Sequence, residues 1–120
     1  MTEGPLSGLR ILEVCHVLAG PFSGMILADL GADVVKIEPP DGDMARNITK
    51  QFTGPYNDYF TSLNRNKRSI VLDLKTDAGQ AQLGELTRDS HGLISNLRPA
   101  TIRQFGLTYD HLKSCNPKLV

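Results

Sequence analysis

Four short stretches carry the side chains able to do chemistry. The first is Cys15–Gly20, a thiol and an imidazole followed by small residues. A thiol at a helix amino end becomes acidic and nucleophilic, whereas one at a strand end serves as a small apolar filler. His16 is a base or a packed loop residue, and no nearby carboxylate spacing marks a triad. The second stretch is Asn64–Lys75, where Arg65, Lys67, Arg68 and Lys75 stand against one acid, Asp73. Such clusters meet phosphate groups or form solvated charged loops. The third is Asn96-Leu97-Arg98-Pro99. The fourth is the carboxylate set Glu38, Asp41 and Asp43, which could form a carboxylate pair but in a Pro/Gly loop beside Arg46 reads as solvated or salt-bridged. His91 and His111 have no metal-ligand spacing between them.

The elements that must position these groups begin with Leu9–Glu38. Leu9, Ile11, Leu12 and Val14 form one apolar run, and Val34, Val35 and Ile37 a second. Between them lies a helix that Pro21 opens, since proline suits the first helical position, and that Gly31 ends in a left-handed turn. Phe22, Met25, Ile26 and Leu30 recur at helical spacing and are expected to face the sheet. This is a β-loop-α-loop-β unit with parallel strands and a right-handed crossover. At the top of its first strand, free N–H groups and the helix dipole suit an anion. The loop has neither GxGxxG nor GxxxxGK[ST], so a plain strand-to-helix turn stays open beside an anion site.

The polar lead-in Met1–Gly8 precedes this unit. Pro39–Tyr56 is a long excursion away from the sheet, of the kind that is functional or mobile. Asp58–Asn64 reads as a short helix and Ser69–Leu74 as a strand. Thr76 caps a helix to Arg88 with Leu83 and Leu86 inward, although Gly79 and Gly84 weaken it. Gly92–Asn96 is a short strand. Pro99 opens a helix that Gly106 closes, and Thr108 caps another to Ser114. Asn116-Pro117 breaks it, and Lys118–Val120 begins a strand, so the chain reads as a fragment or truncation of a longer protein. The fold class is α/β, an open, mostly parallel, Rossmann-like sheet with helices on both faces. Ligands of such sheets collect at the carboxyl ends of strands. The loops after Val14, Ile37 and Leu74 and the one at Asn96 therefore share one crevice.

A chain of 120 residues suffices for one domain with a real core. Lysine and arginine number 13, as do aspartate and glutamate, which argues against bulk nucleic-acid binding. Two separated cysteines without CxxC favour a reducing compartment. There is no signal-peptide pattern and no membrane-span-length apolar run, so the cytoplasm is the default expectation.

Several phrases in order then identify a relationship: PLSGLRILEV, HVLAGPF, LADLGADVVKIEPPDGD, Arg46, Tyr59-Phe60, LNRNKRSIVLDLK, SNLRP, FGLTYDHL and NPKLV. Over Pro5–Val120 the chain resembles the family III CoA-transferases, which include formyl-CoA transferase, carnitine CoA-transferase and 2-methylacyl-CoA racemase. The resemblance implies that residues 1–120 form the N-terminal part of the CoA-binding large domain of a larger two-domain fold. It also implies an interlocked homodimer. Coenzyme A is implied as substrate, with an acyl-CoA and a carboxylic acid as partners, no tightly bound cofactor, and no nucleic acid, membrane or metal.

The first-strand loop and the basic segment would hold coenzyme A. Position by position, the contacts fall on His16, Leu18 and Ala19 after the first strand and on Pro39 after the second. They continue at Leu72, Asp73, Leu74 and Lys75, then Asn96, Leu97 and Arg98, with Gln104 beyond. Some members carry polar or basic residues where Leu18, Pro39 and Gln104 stand; Arg103 is a basic neighbour able to substitute. Cys15 stands where a hydroxyl is common, and Ser95 where an acid often precedes the Asn.

The transferases use an aspartate nucleophile in a segment beyond the strand beginning at Lys118. It passes through anhydride and enzyme-CoA thioester intermediates. The racemases use a His and an acidic pair, also downstream. No aspartate here matches the nucleophile, so no catalytic residue is assigned and the chain alone is expected to be inactive. The open readings are a transferase, a racemase of the same family, or a non-catalytic CoA-binding module. A receiver-like domain needs an acidic pair at strand ends, and Glu13 has no such neighbour.

Overall fold

The computed structural model describes residues 3–120, so Met1 and Thr2 of the lead-in lie outside the described residues. Strands β1 (Arg10–Val14), β2 (Asp33–Glu38), β5 (Arg68–Val71) and β6 (Gly92–Ser95) form a parallel sheet in the order β5-β2-β1-β6. Strands β3 (Phe52–Thr53) and β4 (Tyr56–Asn57) pair antiparallel, with Gly54 at φ 62 in the turn. The helices are α1 (Ala19–Asp29), α2 (Asp58–Leu63), α3 (Asp77–Arg88), α4 (Pro99–Gln104) and α5 (Tyr109–Leu112).

One core lies on the α3–α5 side of the sheet. Leu12, Val14, Val35 and Ile37 pack there against Leu83, Leu107 and Leu112. Leu83 is fully buried, as its spacing on α3 requires, and Leu86 packs beside it. The Thr76 hydroxyl accepts from the Gly79 amide at 3.0 Å and closes the first turn of α3. Gly79 is a requirement there, because a Cβ would collide with the Asp73 carbonyl. A smaller cluster of Ala28, Ala32 and Val34, joined by Leu6, Ile11 and Leu27, lies under α1. The lead-in is anchored: the Leu6 amide donates to the Leu30 carbonyl at 2.9 Å.

Three local expectations need correction. Helix α1 starts at Ala19 with Leu18 as its cap residue, so Pro21 is the third helical residue and not the first. Of the four bulky residues expected to face the sheet, only Met25 is buried. Phe22, Ile26 and Leu30 are 47%, 44% and 40% exposed. The inward face is Gly20, Pro21, Gly24, Met25 and Ala28. A Cβ at Gly20 would collide with Cys15 and one at Gly24 with the Glu13 carboxylate, so small residues let α1 lie close on β1. Strand β5 stops at Val71, although the Leu72 amide still donates to the Glu38 carbonyl at 3.0 Å, and Leu72 and Leu74 stay buried.

The excursion after β2 is ordered by a short 3-10 turn, Met44–Asn47, and the β3–β4 hairpin. Gly31 (φ 100) and Gly106 (φ 66) terminate helices in the left-handed region as expected. At the other end of the chain, the Val120 amide donates to the His91 carbonyl at 3.1 Å. Its own carbonyl accepts from the Leu93 amide at 2.9 Å, along the outer edge of β6.

Candidate functional site

Parallel strands present all their carboxyl ends at one rim, and here four loops leave that rim together. They enclose a cleft of about 400 Å³. His16 follows β1; Pro39, Pro40 and Gly42 follow β2; Leu72–Lys75 follow β5; Leu97 follows β6, and Phe105 closes the α4 side. The floor is apolar, from Val14, Ile37 and Leu74.

The first loop is tied on both sides. The His16 amide donates to Asn96 Oδ1 at 3.0 Å, and Asn96 Nδ2 donates back to the His16 carbonyl at 2.9 Å. On the other flank, the Val17 amide donates to Asp43 Oδ1 at 3.2 Å. Val17 has φ 66, a left-handed conformation costly for a β-branched residue. Beyond it, α1 begins without a side-chain cap. Its first amides carry the positive end of the helix dipole, with Leu18, Ala19 and Gly20 supplying the free N–H groups because Pro21 has none.

Beneath the loop lies a buried charge relay. Lys36 Nζ is 2.8 Å from Glu13 Oε1 and 2.8 Å from Asp43 Oδ2, and donates to the Cys15 carbonyl at 3.3 Å. Lys67 Nζ is 2.6 Å from Glu13 Oε2 and donates to the Pro21 carbonyl at 2.7 Å and to Asn64 Oδ1 at 2.8 Å. Glu13, Lys36 and Asp43 are almost wholly buried, as is the Lys67 side chain. Two carboxylates and two ammoniums cancel, which is what allows four charges to be buried together. Burial works against the Lys36 ammonium, but Glu13 and Asp43 outweigh it and raise its pKa above the ordinary lysine value. Burial also opposes ionised Asp43, yet the Lys36 contact and the Ala45 and Val17 amides hold its carboxyl below the usual range. For Lys67 burial wins, and Glu13 only partly offsets the lowering.

Beside this relay, Arg46 grips Glu38 with both Nε and Nη2 at 3.0 Å, and its guanidinium lies 3.8 Å from the centre of the Phe60 ring. Cys15 takes the filler role. Burial first, then the nearby Glu13 charge, pushes its thiol up to about 12, and Sγ lies 3.3 Å from the Ile94 carbonyl. Among the described residues no group of His, Cys, Asp and Glu is arranged to hold a metal ion.

Of the expected contact residues, the structure brings His16, Pro39, Leu72, Asp73, Leu74, Lys75 and Leu97 to the cleft. Leu18 and Ala19 stand exposed at the α1 amino end. Asn96 lies behind His16 as its tether. Arg98 is exposed at the start of α4. Gln104 is exposed on α4, and its neighbour Phe105 lines the cleft instead.

The basic segment divides. Only Lys75 stands at the rim. Arg65 and Arg68 stand before or at the start of a parallel strand and lie toward its amino end, whereas the Lys67 ammonium reaches back to the Pro21 carbonyl in the first turn of α1. Arg65 Nη2 is 2.7 Å from Asp29, Arg68 Nη2 is 2.7 Å from Asp33, and Lys67 is the buried partner of Glu13. Of the two readings open for this cluster, phosphate contact or a charged surface loop, Arg65 and Arg68 follow the second, as salt-bridged surface groups. The expectation that Asp43 is solvated or salt-bridged resolves to a buried salt bridge.

Sequence reasoning missed the relay. Its signal was a charge inside each of two central strands, Glu13 in β1 and Lys36 in β2. Strands of a parallel sheet covered on both faces tolerate such charges only as pairs. Glu13 and Lys36 are indeed register partners.

An open parallel α/β sheet with a cleft at its carboxyl rim is the α/β class in which ligands, where bound, sit at that rim. The sequence comparison specifies it further: residues 6–120 match the family model for CoA-transferase family III, and the chain belongs to that family. It is 42% identical over 120 residues to the formyl-CoA:oxalate CoA-transferase of Streptomyces coelicolor, covering 100% of this chain and 29% of that protein. It is 40% identical to the succinate–glutarate CoA-transferase of Agrobacterium fabrum, covering 97% of this chain and 31% of that protein. The crystal structure of a CAIB/BAIF family protein from Brucella suis superposes with a TM-score of 0.91 at 36% identity, over 99% of this chain and 32% of that one. The chain thus spans less than a third of the length of these relatives. No helix among the described residues is long and apolar enough to cross a membrane.

Proposed function

We propose that this chain supplies the coenzyme A cleft of an enzyme that moves coenzyme A from an acyl-CoA to a carboxylic acid. The observation that carries this reading is the convergence of four strand-end loops on one apolar cleft, flanked by an uncapped helix amino end and by Lys75. An apolar floor suits the pantetheine arm. The α1 amides, Lys75 and Arg98 suit its phosphates. The contact set is His16, Leu18, Ala19, Pro39, Leu72–Lys75, Asn96, Leu97, Arg98 and Gln104, with Asn96 acting through the His16 backbone.

Bond making is assigned to an aspartate outside this sequence. Its carboxylate attacks the thioester carbonyl and expels the coenzyme thiolate, leaving a mixed anhydride. The thiolate then attacks the aspartyl carbonyl and releases the donor acid as its carboxylate. The acceptor carboxylate attacks the enzyme thioester, expelling the thiolate again, and that thiolate attacks the substrate acyl carbon, releasing the aspartate and forming the new acyl-CoA. The Streptomyces and Agrobacterium relatives are both named as transferases, which favours transfer over racemisation. An interlocked homodimer and a cytoplasmic setting belong to the same proposal.

Calorimetric titration of the purified protein with coenzyme A tests the reading. Saturable one-site binding, competed by an acyl-CoA, is expected; absence of binding at millimolar coenzyme overturns it.

A further inference from the structure

We infer that Asp43 is a positioning residue: its buried carboxylate sets the His16–Val17 turn and, through that turn, the amides at the amino end of α1. This rests on the coenzyme A reading above. Val17 holds a left-handed conformation that its branched side chain disfavours, so its surroundings must impose it. Two strand-end loops do so. Asn96 clamps the His16 amide and carbonyl from the β6 side. Asp43 Oδ1 takes the Val17 amide from the β2 side.

Asp43 is itself immobilised. The same oxygen accepts from the Ala45 amide at 2.9 Å, and Oδ2 sits 2.8 Å from Lys36. Lys36 also reaches the Cys15 carbonyl, immediately before the turn. The carboxylate therefore fixes the turn directly through Val17 and indirectly through Lys36. The turn leads straight into the uncapped start of α1, whose donors gain from being held in place before a ligand arrives.

Removing Asp43 alone would strand the Lys36 charge and confuse positioning with stability. A charge-balanced pair of variants separates them. Lys36→Met with Asp43→Asn leaves Lys67 to balance Glu13 and keeps an oxygen for the Val17 amide. Lys36→Met with Asp43→Ala has the same charge balance and no such oxygen. Coenzyme A affinity is expected to stay within about threefold in the Asn variant and to fall about tenfold in the Ala variant, the loss of one preorganising hydrogen bond. Equal affinities in the two variants overturn the inference.

Hydrogen exchange at the Val17 amide gives a readout independent of the ligand. It is expected to quicken about tenfold in the Ala variant and little in the Asn variant. Equal rates count against the inference even if the unsubstituted protein fails to bind coenzyme A, a result that would instead remove the proposed function.

Discussion

At the amino end of the sheet, Arg10 and Arg68 share Asp33, and Arg65 grips Asp29. At the carboxyl end, Lys75 and Arg98 form no ion pair among the described residues, and α1 starts without a side-chain cap. The two ends carry comparable cations. They differ in whether the protein has already answered the charge. A cation held by a carboxylate has little left for a phosphate, whereas one standing over an apolar cleft retains its donors. Position along a parallel strand decides which case applies: residues before the strand go to one end, and residues after it go to the other.

The comparison can be broken most forcefully through the relay joining the two ends. Glu13→Ala leaves the Lys36 and Lys67 ammoniums buried, with Asp43 their only compensation. It is expected to cost about 3–5 kcal/mol, read as a shifted midpoint in urea denaturation. A loss below about 1 kcal/mol would mean that water reaches the relay.

Next in size is the contrast at the rim. Lys75→Ala and Arg98→Ala should each weaken coenzyme A binding about tenfold, the worth of a charge-assisted hydrogen bond. Arg65→Ala and Arg68→Ala should leave it within about twofold, because those side chains are committed to Asp29 and Asp33. A larger loss from the amino-end variants would reverse the assignment.

A pH series sharpens the picture of the relay. Asp43 has its carboxyl pKa lowered from 3.8, so its contribution to stability is complete above that pH and is lost as pH falls through the lower folded value. Lys36 is raised from 10.5, so its contribution is complete below that pH and is lost as pH rises through the higher folded value. Unfolding free energy should be level from the acid limb up to about pH 9, where the buried Cys15 thiol, raised from 9.0 to about 12, begins to favour unfolding, while the lowered Lys67 works against that loss as pH rises toward 10.5. Asp43→Asn should shrink the acid limb without removing it, since Asp29 and Asp33 are also lowered. An unchanged acid limb in that variant would contradict the carboxylate's role. The smallest effect belongs to Arg68→Ala, expected to cost under about 1 kcal/mol of stability as the loss of an exposed pair.

Much of the fold was legible in the sequence because local signals agreed. The β1-α1-β2 unit, the Thr76 cap, the Gly31 and Gly106 stops and the β6 strand follow from apolar runs and chain breakers. The inward face of α1 was misread because bulk was equated with burial. In a helix lying close on a sheet, Gly20, Gly24 and Ala28 make the contact, and Phe22, Ile26 and Leu30 are left outside.

The common rim of the cleft was readable from topology alone. The same rule, applied to Arg65 and Arg68, would have placed them at the opposite end, since both stand at or before the start of a parallel strand. The relay was not readable from any single segment. Its partners Glu13, Lys36, Asp43 and Lys67 lie on separate stretches: strand register pairs Glu13 with Lys36, and the loops after β2 and before β5 bring Asp43 and Lys67 to them.

The most direct measurement is an amide chemical-shift titration of the purified protein with coenzyme A. Shifts are expected to concentrate in His16–Gly20, Asp41–Gly42, Leu72–Lys75 and Asn96–Arg98, with Arg65–Arg68 unmoved. Shifts centred on Arg65–Arg68, or spread evenly over both ends of the sheet, would contradict a carboxyl-rim coenzyme site.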